Sequence, residues 1–406
     1  MQTEKPALPL PEFVALMALM TSLVALAIDA MLPALNQIGQ EIGDGSQQQA
    51  HLVVSLFFAG MALGQLFFGP LSDARGRRFT ILVGLAIFIL GTLICMFATD
   101  MTTMLMGRFV QAFGVSGPRV ASLAVIRDQY QGAAMARVMS FIMMVFILVP
   151  MAAPIIGQTV LLWFDWRQIF TLFLGVAAIA GGWFMIRQPE TLSKERRIPF
   201  RFSQCMASAG FILSHKAVMG YVGAMGCIFG AFLAYLSASQ TIFQTFYGLG
   251  QLFPLIFALL AFSIGLASLF NGRMVMRVGM ARLCRSALIG CVFWCSYMMV
   301  LVLLFDGLPP IWHFVAVLFA LFFCIGILFG NLNAMAMQPL GHVAGMGAAI
   351  IGSLSSLLSV PIAIAIDAFI STDVLPVAIG FSVFVLISWA CFEFARCGEQ
   401  SEHTPD

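Results

Sequence analysis

Three ionisable side chains lie deep inside long apolar runs of the sequence. Asp29 lies in the first run, and Arg108 and Arg119 lie in the fourth. An ionised group is costly inside a lipid bilayer, so each of these residues is a candidate functional site. A buried carboxyl group can take up and release a proton, whereas an arginine keeps its charge at accessible pH. The three residues therefore indicate proton transfer by Asp29 near fixed positive charges.

The flanking polar residues place Asp29 and Arg108 at a similar depth. Asp29 precedes the polar break at Asn36 by about two helical turns, and Arg108 follows the break at Asp100 by about two turns. Two interpretations are open. Either Asp29 faces a water-accessible cavity and exchanges protons there, or Asp29 and Arg108 form a permanent ion pair that joins two helices.

A polar stripe follows Arg108 along the same face of its helix. It contains Gln111, Arg119 and Ser122, and Arg119 lies about 16 Å further along the helix axis. Two roles are open for Arg119. Like Arg108, it can be a charge that positions neighbouring groups, or it can attract an anionic group of a substrate. We predict that the stripe lines a substrate cavity.

The segment between the second and third apolar runs combines a carboxylate with a tight basic turn. Asp73 can accept hydrogen bonds from arginines or helix N-termini, and Gly76 permits a turn that larger residues would strain. Such a network can latch one conformation, although the arginines also serve membrane topology. The latch candidates in this segment are Gly69, Asp73, Arg75, Gly76, Arg77 and Arg78.

The composition requires lipid as the solvent. The mean hydropathy is +0.99, 61% of the residues are hydrophobic and only 9% are charged, so a water-soluble core could not hide the apolar side chains. A net charge of +2 does not favour nucleic acid as a partner. The nine cysteines lie mostly in apolar runs and are interpreted as buried thiols. We predict neither a metal site nor a cofactor.

Because a span needs about 20 apolar residues, the sequence predicts twelve transmembrane helices and an all-α membrane fold. A hydrophilic stretch, 188–216, divides them six and six as a cytoplasmic linker between the bundles 1–187 and 217–406. The predicted spans are 12–35, 51–71, 79–98, 101–126, 138–161, 168–187, 217–239, 251–271, 283–304, 311–336, 346–368 and 374–396.

The basic residues predict the orientation of the spans. Seventeen of the twenty lie at the termini or in even-numbered loops, whereas odd-numbered loops hold only Arg167. Since basic residues favour the cytoplasmic side, both termini are expected in the cytoplasm. The halves also echo each other, because the exit of span 2 at 69–78 resembles the exit of span 8 at 271–282. Two pseudo-symmetric six-helix repeats are the simplest account.

Several motifs resemble those of the major facilitator superfamily, in particular its Bcr/CflA branch of proton-coupled drug antiporters. The segment 69–78 is similar to the superfamily signature, although Ala74 stands where a basic residue is usual. Arg108, Gln111 and Gly114 are similar to the span 4 motif, with Ala112 replacing a glycine. The other matching segments are 126–128, 153–157, 166–170 and 189–192.

This resemblance implies roles for individual residues. It matches Asp29 to the acidic position of span 1 and Arg108 to the arginine that assists proton transfer. It also adds Asp128 to the latch, while spans 1, 4, 7 and 10 are expected to line the cavity. The resemblance implies an antiporter motif in span 5 at Pro150, Pro154 and Gly157, and weaker substrate candidates at Tyr235, Gln240, Asn331 and Asn333.

These observations lead to one main functional hypothesis. We expect a transporter of the bacterial inner membrane that exports amphipathic drugs in exchange for protons by alternating access. A carrier of the same fold for a sugar or metabolite is the alternative. An intramembrane enzyme lacks support, because the sequence contains no His-Glu-x-x-His, no Gly-x-Ser-x-Gly and no paired carboxylates within one span. The expected partners are protons, a drug-like small molecule and membrane lipid, and the protein is expected to be a monomer.

Overall fold

The structure, a computed structural model, describes residues 8–45, 47–130, 132–193, 195, 197, 210 and 212–402. Within them, all regular secondary structure is helical. We number the α-helices along the chain as α1 Leu10–Asp29, α2 Leu35–Ile42, α3 Gln47–Arg75, α4 Arg77–Met96, α5 Met101–Gln129, α6 Gly132–Trp163, α7 Arg167–Arg187, α8 Lys216–Gln240, α9 Phe253–Val278, α10 Met280–Leu304, α11 Ile311–Met337, α12 Ala344–Asp367 and α13 Leu375–Glu402.

The helices confirm the predicted membrane fold. Among the described residues, eleven helices, some of them continued by short 3₁₀ or π segments, are long and apolar enough to cross a membrane. The remaining predicted span corresponds to α6, whose described apolar part is Leu148–Trp163. The chain is therefore a multi-pass membrane protein with an all-α fold and twelve spans.

The chain divides into two compact units. Unit 1 contains Met1–Ile38 and Leu56–Phe202, and unit 2 contains Gly39–Ser55 and Ser203–Asp406. The first turns of α3 thus pack with unit 2, although the rest of this helix packs with unit 1. The predicted limits of the bundles and linker stay a prediction, and residues 198–209 of that linker lie outside the described part of the chain.

The first span is interrupted immediately after Asp29. The helix α1 ends at Asp29, and a short 3₁₀ segment, Leu32–Ala34, leads into α2. Pro33 explains the break, because proline has no backbone N–H and its ring collides with the carbonyl group four residues earlier, which is that of Asp29. The amide of Met31 bonds to the carbonyl of Ile28. The carbonyl of Ala27 is therefore available to a side chain.

The start of α5 is determined by a side-chain cap. Asp100 is the N-cap residue, and its carboxylate accepts hydrogen bonds from the backbone N–H of Thr103 at 2.8 Å and from the Thr103 hydroxyl at 2.7 Å. These bonds hold the pKa of the Asp100 carboxyl group below its usual value. The cap sets the position from which Arg108 follows two turns later.

Glycines allow the helices of unit 1 to approach closely. On α3, a methyl group at Gly60 would overlap the carbonyl oxygen of Phe109, and one at Gly64 would lie 2.6 Å from the hydroxyl oxygen of Ser116. Both neighbours belong to α5. Close approach of this kind brings many atoms into van der Waals contact, which stabilises helix pairs in lipid.

Glycines also allow two helices of unit 2 to approach closely. Gly226 and Gly230 of α8 face Leu358 and Ile362 of α12, and added methyl groups would lie 2.6 Å from these side chains. Small residues therefore position α8 against α12 in the way that they position α3 against α5. These glycines belong to the scaffold that holds the polar residues described below.

We expect Gly60→Ala to lower the stability of the protein by about 1–3 kcal/mol, because the backbone of α5 must shift to admit the methyl group. The measurement is the midpoint of thermal unfolding of the detergent-solubilised protein. Gly175→Ala is the control in the same unit, since nothing lies within 4 Å of a methyl group there. Equal midpoints for the two variants would contradict this account of the α3 and α5 contact.

Candidate functional site

Asp29 lies buried at the end of α1 with only 6% of its surface exposed. No lysine, arginine or histidine nitrogen of the described residues lies within the 4.0 Å of an ion pair from its carboxylate. A buried carboxylate without a nearby cation is unstable in its ionised form. Asp29 thus has the environment of a group that accepts a proton.

Gly157 of α6 packs against the break at the end of α1. A methyl group at Gly157 would overlap the carbonyl oxygen of Ala30, the residue after Asp29. Gly157, like Pro150 and Pro154, belongs to the predicted span 5 motif, and all three lie within α6. The motif therefore contributes a small residue where the backbone of α6 meets the irregular backbone beside Asp29, while its role in antiport stays a prediction.

Arg108 is fully buried and is held by the backbone of α1. Its Nη1 donates hydrogen bonds to the carbonyl oxygen of Ala27 at 3.0 Å and to Oε1 of Gln111 at 2.7 Å. Its guanidinium also lies 4.4 Å from the centre of the Phe57 ring, which attracts the positive charge. The Gln111 amide in turn donates to the hydroxyl of Thr92 at 2.8 Å.

These contacts bear on one of the two interpretations of Asp29 and Arg108, the permanent ion pair, while proton exchange by Asp29 stays a prediction. The permanent ion pair is not formed in this structure, because Arg108 is not among the described cations within 4.0 Å of the Asp29 carboxylate. The helix break at Pro33 exposes a backbone acceptor that the sequence did not reveal. Arg108 bonds to that acceptor, two residues from Asp29, and the carboxyl group has no counter-ion among the described residues.

The rest of the α5 stripe is polar and largely buried. Ser122 is buried, and its hydroxyl has no hydrogen-bond partner among the described residues. The Arg119 guanidinium lies 3.0 Å from the sulfur of Met61, and no described carboxylate lies within 4.0 Å of it. Arg119 therefore keeps hydrogen-bonding capacity that an anionic group can satisfy.

The candidates of unit 2 have different surroundings. Tyr235 is buried with its ring 4.8 Å from that of Phe322, and its hydroxyl has no partner among the described residues. Gln240 donates to Gln244 at 2.6 Å, while its own carbonyl oxygen is buried without a described partner. Both residues retain unused hydrogen-bonding groups, as substrate contacts require.

The two asparagines of α11 differ from each other. Asn331 is buried, and its amide donates to the side chain of Asn271 at 2.6 Å and to the carbonyl of Ile327 at 3.0 Å. It therefore joins α11 to α9. Asn333 lies on the exposed surface of α11. Their roles in substrate binding stay predictions.

The predicted latch is centred on the buried Arg77. Its Nη1 bonds to Asp73 and to the hydroxyl of Ser72, and its Nε lies 3.1 Å from Asp128. Asp128 also accepts a hydrogen bond from the hydroxyl of Thr191 at 2.9 Å. Arg77 therefore joins the ends of α3 and α5, and Asp128 extends the network to the chain after α7.

The other latch candidates contribute unequally. Gly69 lies within α3, one turn before Asp73. Arg78 donates to the carbonyl of Met185 at 2.7 Å, whereas the Arg75 side chain is exposed.

Glu190 is a member of this network that the sequence analysis did not identify. Its carboxylate accepts hydrogen bonds from the backbone N–H groups of Arg77 at 2.9 Å and Arg78 at 3.1 Å, at the N-terminus of α4. A methyl group at Gly76 would overlap this carboxylate, and the backbone of Gly76 has a φ of 105°. The signal for Glu190 in the sequence is its place in the stretch 189–192, one of the segments that resemble the Bcr/CflA branch.

Comparison with known proteins supports the same architecture. A model of the Major Facilitator Superfamily matches residues 17–364. The chain is 29% identical over 391 residues to the uncharacterized MFS-type transporter YdgK of Bacillus subtilis (strain 168), covering 95% of this chain and 96% of that protein. It is 31% identical over 347 residues to a bicyclomycin resistance protein homolog of Haemophilus influenzae, covering 84% and 85%.

A solved structure shares the fold. The xylose transporter XylE from E. coli, in a partially occluded inward open conformation, matches with a TM-score of 0.69 and covers 98% of each chain. The sequence identity is 12%, so this likeness supports the fold and not the substrate.

We expect Gly76→Ala to destabilise the protein more than Gly279→Ala. Both glycines have positive φ, 105° and 85°, so a side chain costs about 1–3 kcal/mol of backbone strain at each. Only at Gly76 must the new methyl group also displace Glu190, since nothing lies within 4 Å at Gly279. Thermal unfolding midpoints measure the difference. Equal losses would show that Glu190 adds nothing to the network.

Proposed function

This chain belongs to the major facilitator superfamily of transporters, and we propose that it exports amphipathic, drug-like molecules in exchange for protons. The observation that carries the proposal is the buried Asp29 carboxyl group, which has no described cation within 4.0 Å. The similarity to a bicyclomycin resistance protein homolog supports a drug-like substrate. A superfamily carrier is a transporter and not an enzyme.

Asp29 supplies the proton-binding step of this proposal. When the site is closed to water, the neutral acid is favoured, because burial penalises the ionised form. When water reaches the site, the carboxyl group can release its proton. Transfer of one proton down the membrane potential supplies about 2.3 kcal/mol per 100 mV, which suffices to drive export of another solute against a modest gradient.

Arg108 acts as a positioning residue in this scheme. Because it is bonded to Ala27 and Gln111, its charge stays near Asp29 without neutralising the carboxylate directly. The charge favours the ionised form of Asp29 once water enters, and thus helps proton release. The bond to Ala27 also links α5 to the break in α1, so a shift of either helix changes the surroundings of Asp29.

Exchange requires that only one side of the site be open at a time. The network of Arg77, Asp73, Asp128 and Glu190 joins four segments of unit 1 by charge-assisted hydrogen bonds, which are stronger than neutral ones. We propose that it stabilises one of the two conformations that alternating access needs. A ligand or proton that favours the other conformation must overcome this network.

An amphipathic substrate fits the residues better than a sugar. The candidate residues of each unit provide single polar groups. In unit 1 these are Arg119, beside the sulfur of Met61, and Ser122, and in unit 2 the group is the hydroxyl of Tyr235, whose ring contacts that of Phe322. A sugar requires many convergent hydrogen bonds, and a site without them discriminates poorly. The fold shared with XylE leaves the alternative of a sugar or metabolite carrier open.

The proposal also includes the location and the orientation of the protein. We place the protein in the bacterial inner membrane with both termini in the cytoplasm, on the basis of the basic residues in the termini and even-numbered loops. It would act as a monomer, with protons and the drug-like substrate as its partners.

Replacement of Asp29 by Asn is expected to abolish proton-driven accumulation of substrate in everted vesicles. Substrate exchange without a proton gradient should persist, because the amide resembles the neutral acid. Asp165→Asn is the control in the same unit, since Asp165 is exposed. Its contacts are a surface ion pair with Arg167 and a hydrogen bond from the backbone N–H of Trp166, and an asparagine oxygen can still accept the latter. Unchanged proton-driven accumulation in Asp29→Asn would refute the proposed role of Asp29.

Replacement of Arg119 by Met is expected to weaken the apparent affinity for an anionic amphipathic probe by about tenfold, the effect of losing one charged hydrogen bond. Affinity for a neutral probe should change little, and Arg119→Lys should retain part of the preference. Arg127→Met, an exposed position on the same helix, is the control. A uniform loss for both probes would show that Arg119 is only structural.

A further inference from the structure

Unit 2 contains a buried pair of ionisable side chains, whereas Asp29 belongs to unit 1. His51 belongs to the first turns of α3 and is 2% exposed, and Asp367 is the last residue of α12 and is 4% exposed. Nδ1 of His51 lies 3.7 Å from Oδ1 of Asp367. An imidazole and a carboxyl group at this distance interact electrostatically but form no direct hydrogen bond.

Polar contacts hold three elements around this pair. Nε2 of His51 lies 3.1 Å from the hydroxyl of Thr241, at the start of the π-helical segment Thr241–Phe246 that continues α8. One turn before the histidine, the amide of Gln48 donates to the carbonyl oxygen of Ile370 at 3.1 Å. The first turns of α3, the end of α8 and the end of α12 therefore meet at His51.

The buried carboxyl group of Asp367 has no hydrogen-bond partner among the described residues. Both of its oxygens, and Nδ1 of His51, are buried without a hydrogen-bond partner among the described residues. No lysine, arginine or second acidic side chain forms an ion pair with either residue in the described part of the chain. The described side chain within hydrogen-bond distance of the pair is the neutral Thr241, at the start of the π-helical segment. Ser55, one turn further along α3, is neutral and buried.

The net charge of the His51 and Asp367 pair depends on the number of protons that it carries. With one proton, the pair is either a neutral acid beside a neutral imidazole or a carboxylate beside an imidazolium, and its net charge is zero. Loss of that proton leaves a buried anion, and gain of another leaves a buried cation. Either net charge is costly away from water. Proton exchange is therefore coupled to the entry of water at this contact.

We infer that His51 and Asp367 form a second proton-binding site, at the contact between the first turns of α3 and the ends of α8 and α12. By the predicted topology this contact lies at the extracellular end of the spans. The ligand is a proton taken from the outside, and its binding favours the closed contact when the pair carries one proton. The site does not depend on the proposed drug export, because proton binding is measured without any substrate.

Infrared spectra of the full-length protein in lipid test the site directly. Spectra recorded between about pH 5 and pH 8, the range in which histidine normally titrates, should contain a carboxylic-acid band that changes with pH. Asp367→Asn should remove this band. Asp306→Asn is the matched control, because Asp306 is an exposed acid of unit 2 whose φ of 49° asparagine tolerates.

His51 is tested by its effect on the same band. His51→Gln should shift the pH midpoint of the Asp367 band, because the second member of the pair is lost. His313→Gln, an exposed histidine of unit 2, should leave the midpoint unchanged. If Asp367→Asn does not fold, the His51→Gln spectra and histidine-selective NMR of the unaltered protein still test the pair.

Two results overturn the inference. One is a carboxyl band of Asp367 that is absent or constant over the whole pH range, which means that the pair does not exchange protons. The other is an equal midpoint in His51→Gln and His313→Gln. Asp29→Asn should leave the Asp367 band intact, so loss of proton-driven export in that variant and failure of the second site are separate outcomes.

Discussion

The cost of holding an ionised side chain away from water constrains every polar feature of this protein. Arg108 meets the constraint with a backbone carbonyl, an amide oxygen and an aromatic ring. Arg77 meets it with two carboxylates and a hydroxyl group. Asp29 and Asp367 have no such donors among the described residues, and a proton is the partner that remains for them. The difference separates charges that hold helices together from the groups for which we propose proton exchange.

Irregular backbone supplies several of the partners that these side chains need. The proline break after Asp29 leaves the Ala27 carbonyl open for Arg108, and Gly157 allows α6 to approach the same break. At the latch, the positive φ of Gly76 turns the chain so that the first amides of α4 face Glu190. At the break in α1, the residue responsible is Pro33, which has no backbone N–H. At the latch it is Gly76, which has no side chain to collide with Glu190. The scaffold glycines and the functional residues are therefore parts of one arrangement.

Buried polar side chains are arranged differently in the two units. In unit 1, the polar residues of α5 form a stripe that runs from Arg108 to Ser122, with Asp29 near one end. In unit 2, Asn271 and Asn331 hydrogen-bond to each other, whereas Nδ1 of His51 and both carboxyl oxygens of Asp367 have no hydrogen-bond partner among the described residues. A fold built from repeats thus carries proton-binding candidates in different places in its two units.

The sequence by itself determined the twelve spans and the all-α fold, and it marked Asp29 and Arg108 as candidate functional residues, because hydropathy and the cost of buried charge act through residue type and local spacing. Arg77 was a candidate because of the basic turn after span 2, and Asp128 because of the family resemblance. Tertiary structure decided which of these groups meet. Arg108 bonds to the Ala27 carbonyl and not to Asp29, Glu190 joins the latch from more than a hundred residues away, and His51 reaches Asp367 across 316 positions. Such pairings depend on helix packing and on backbone breaks, which bring together residues that no local pattern connects.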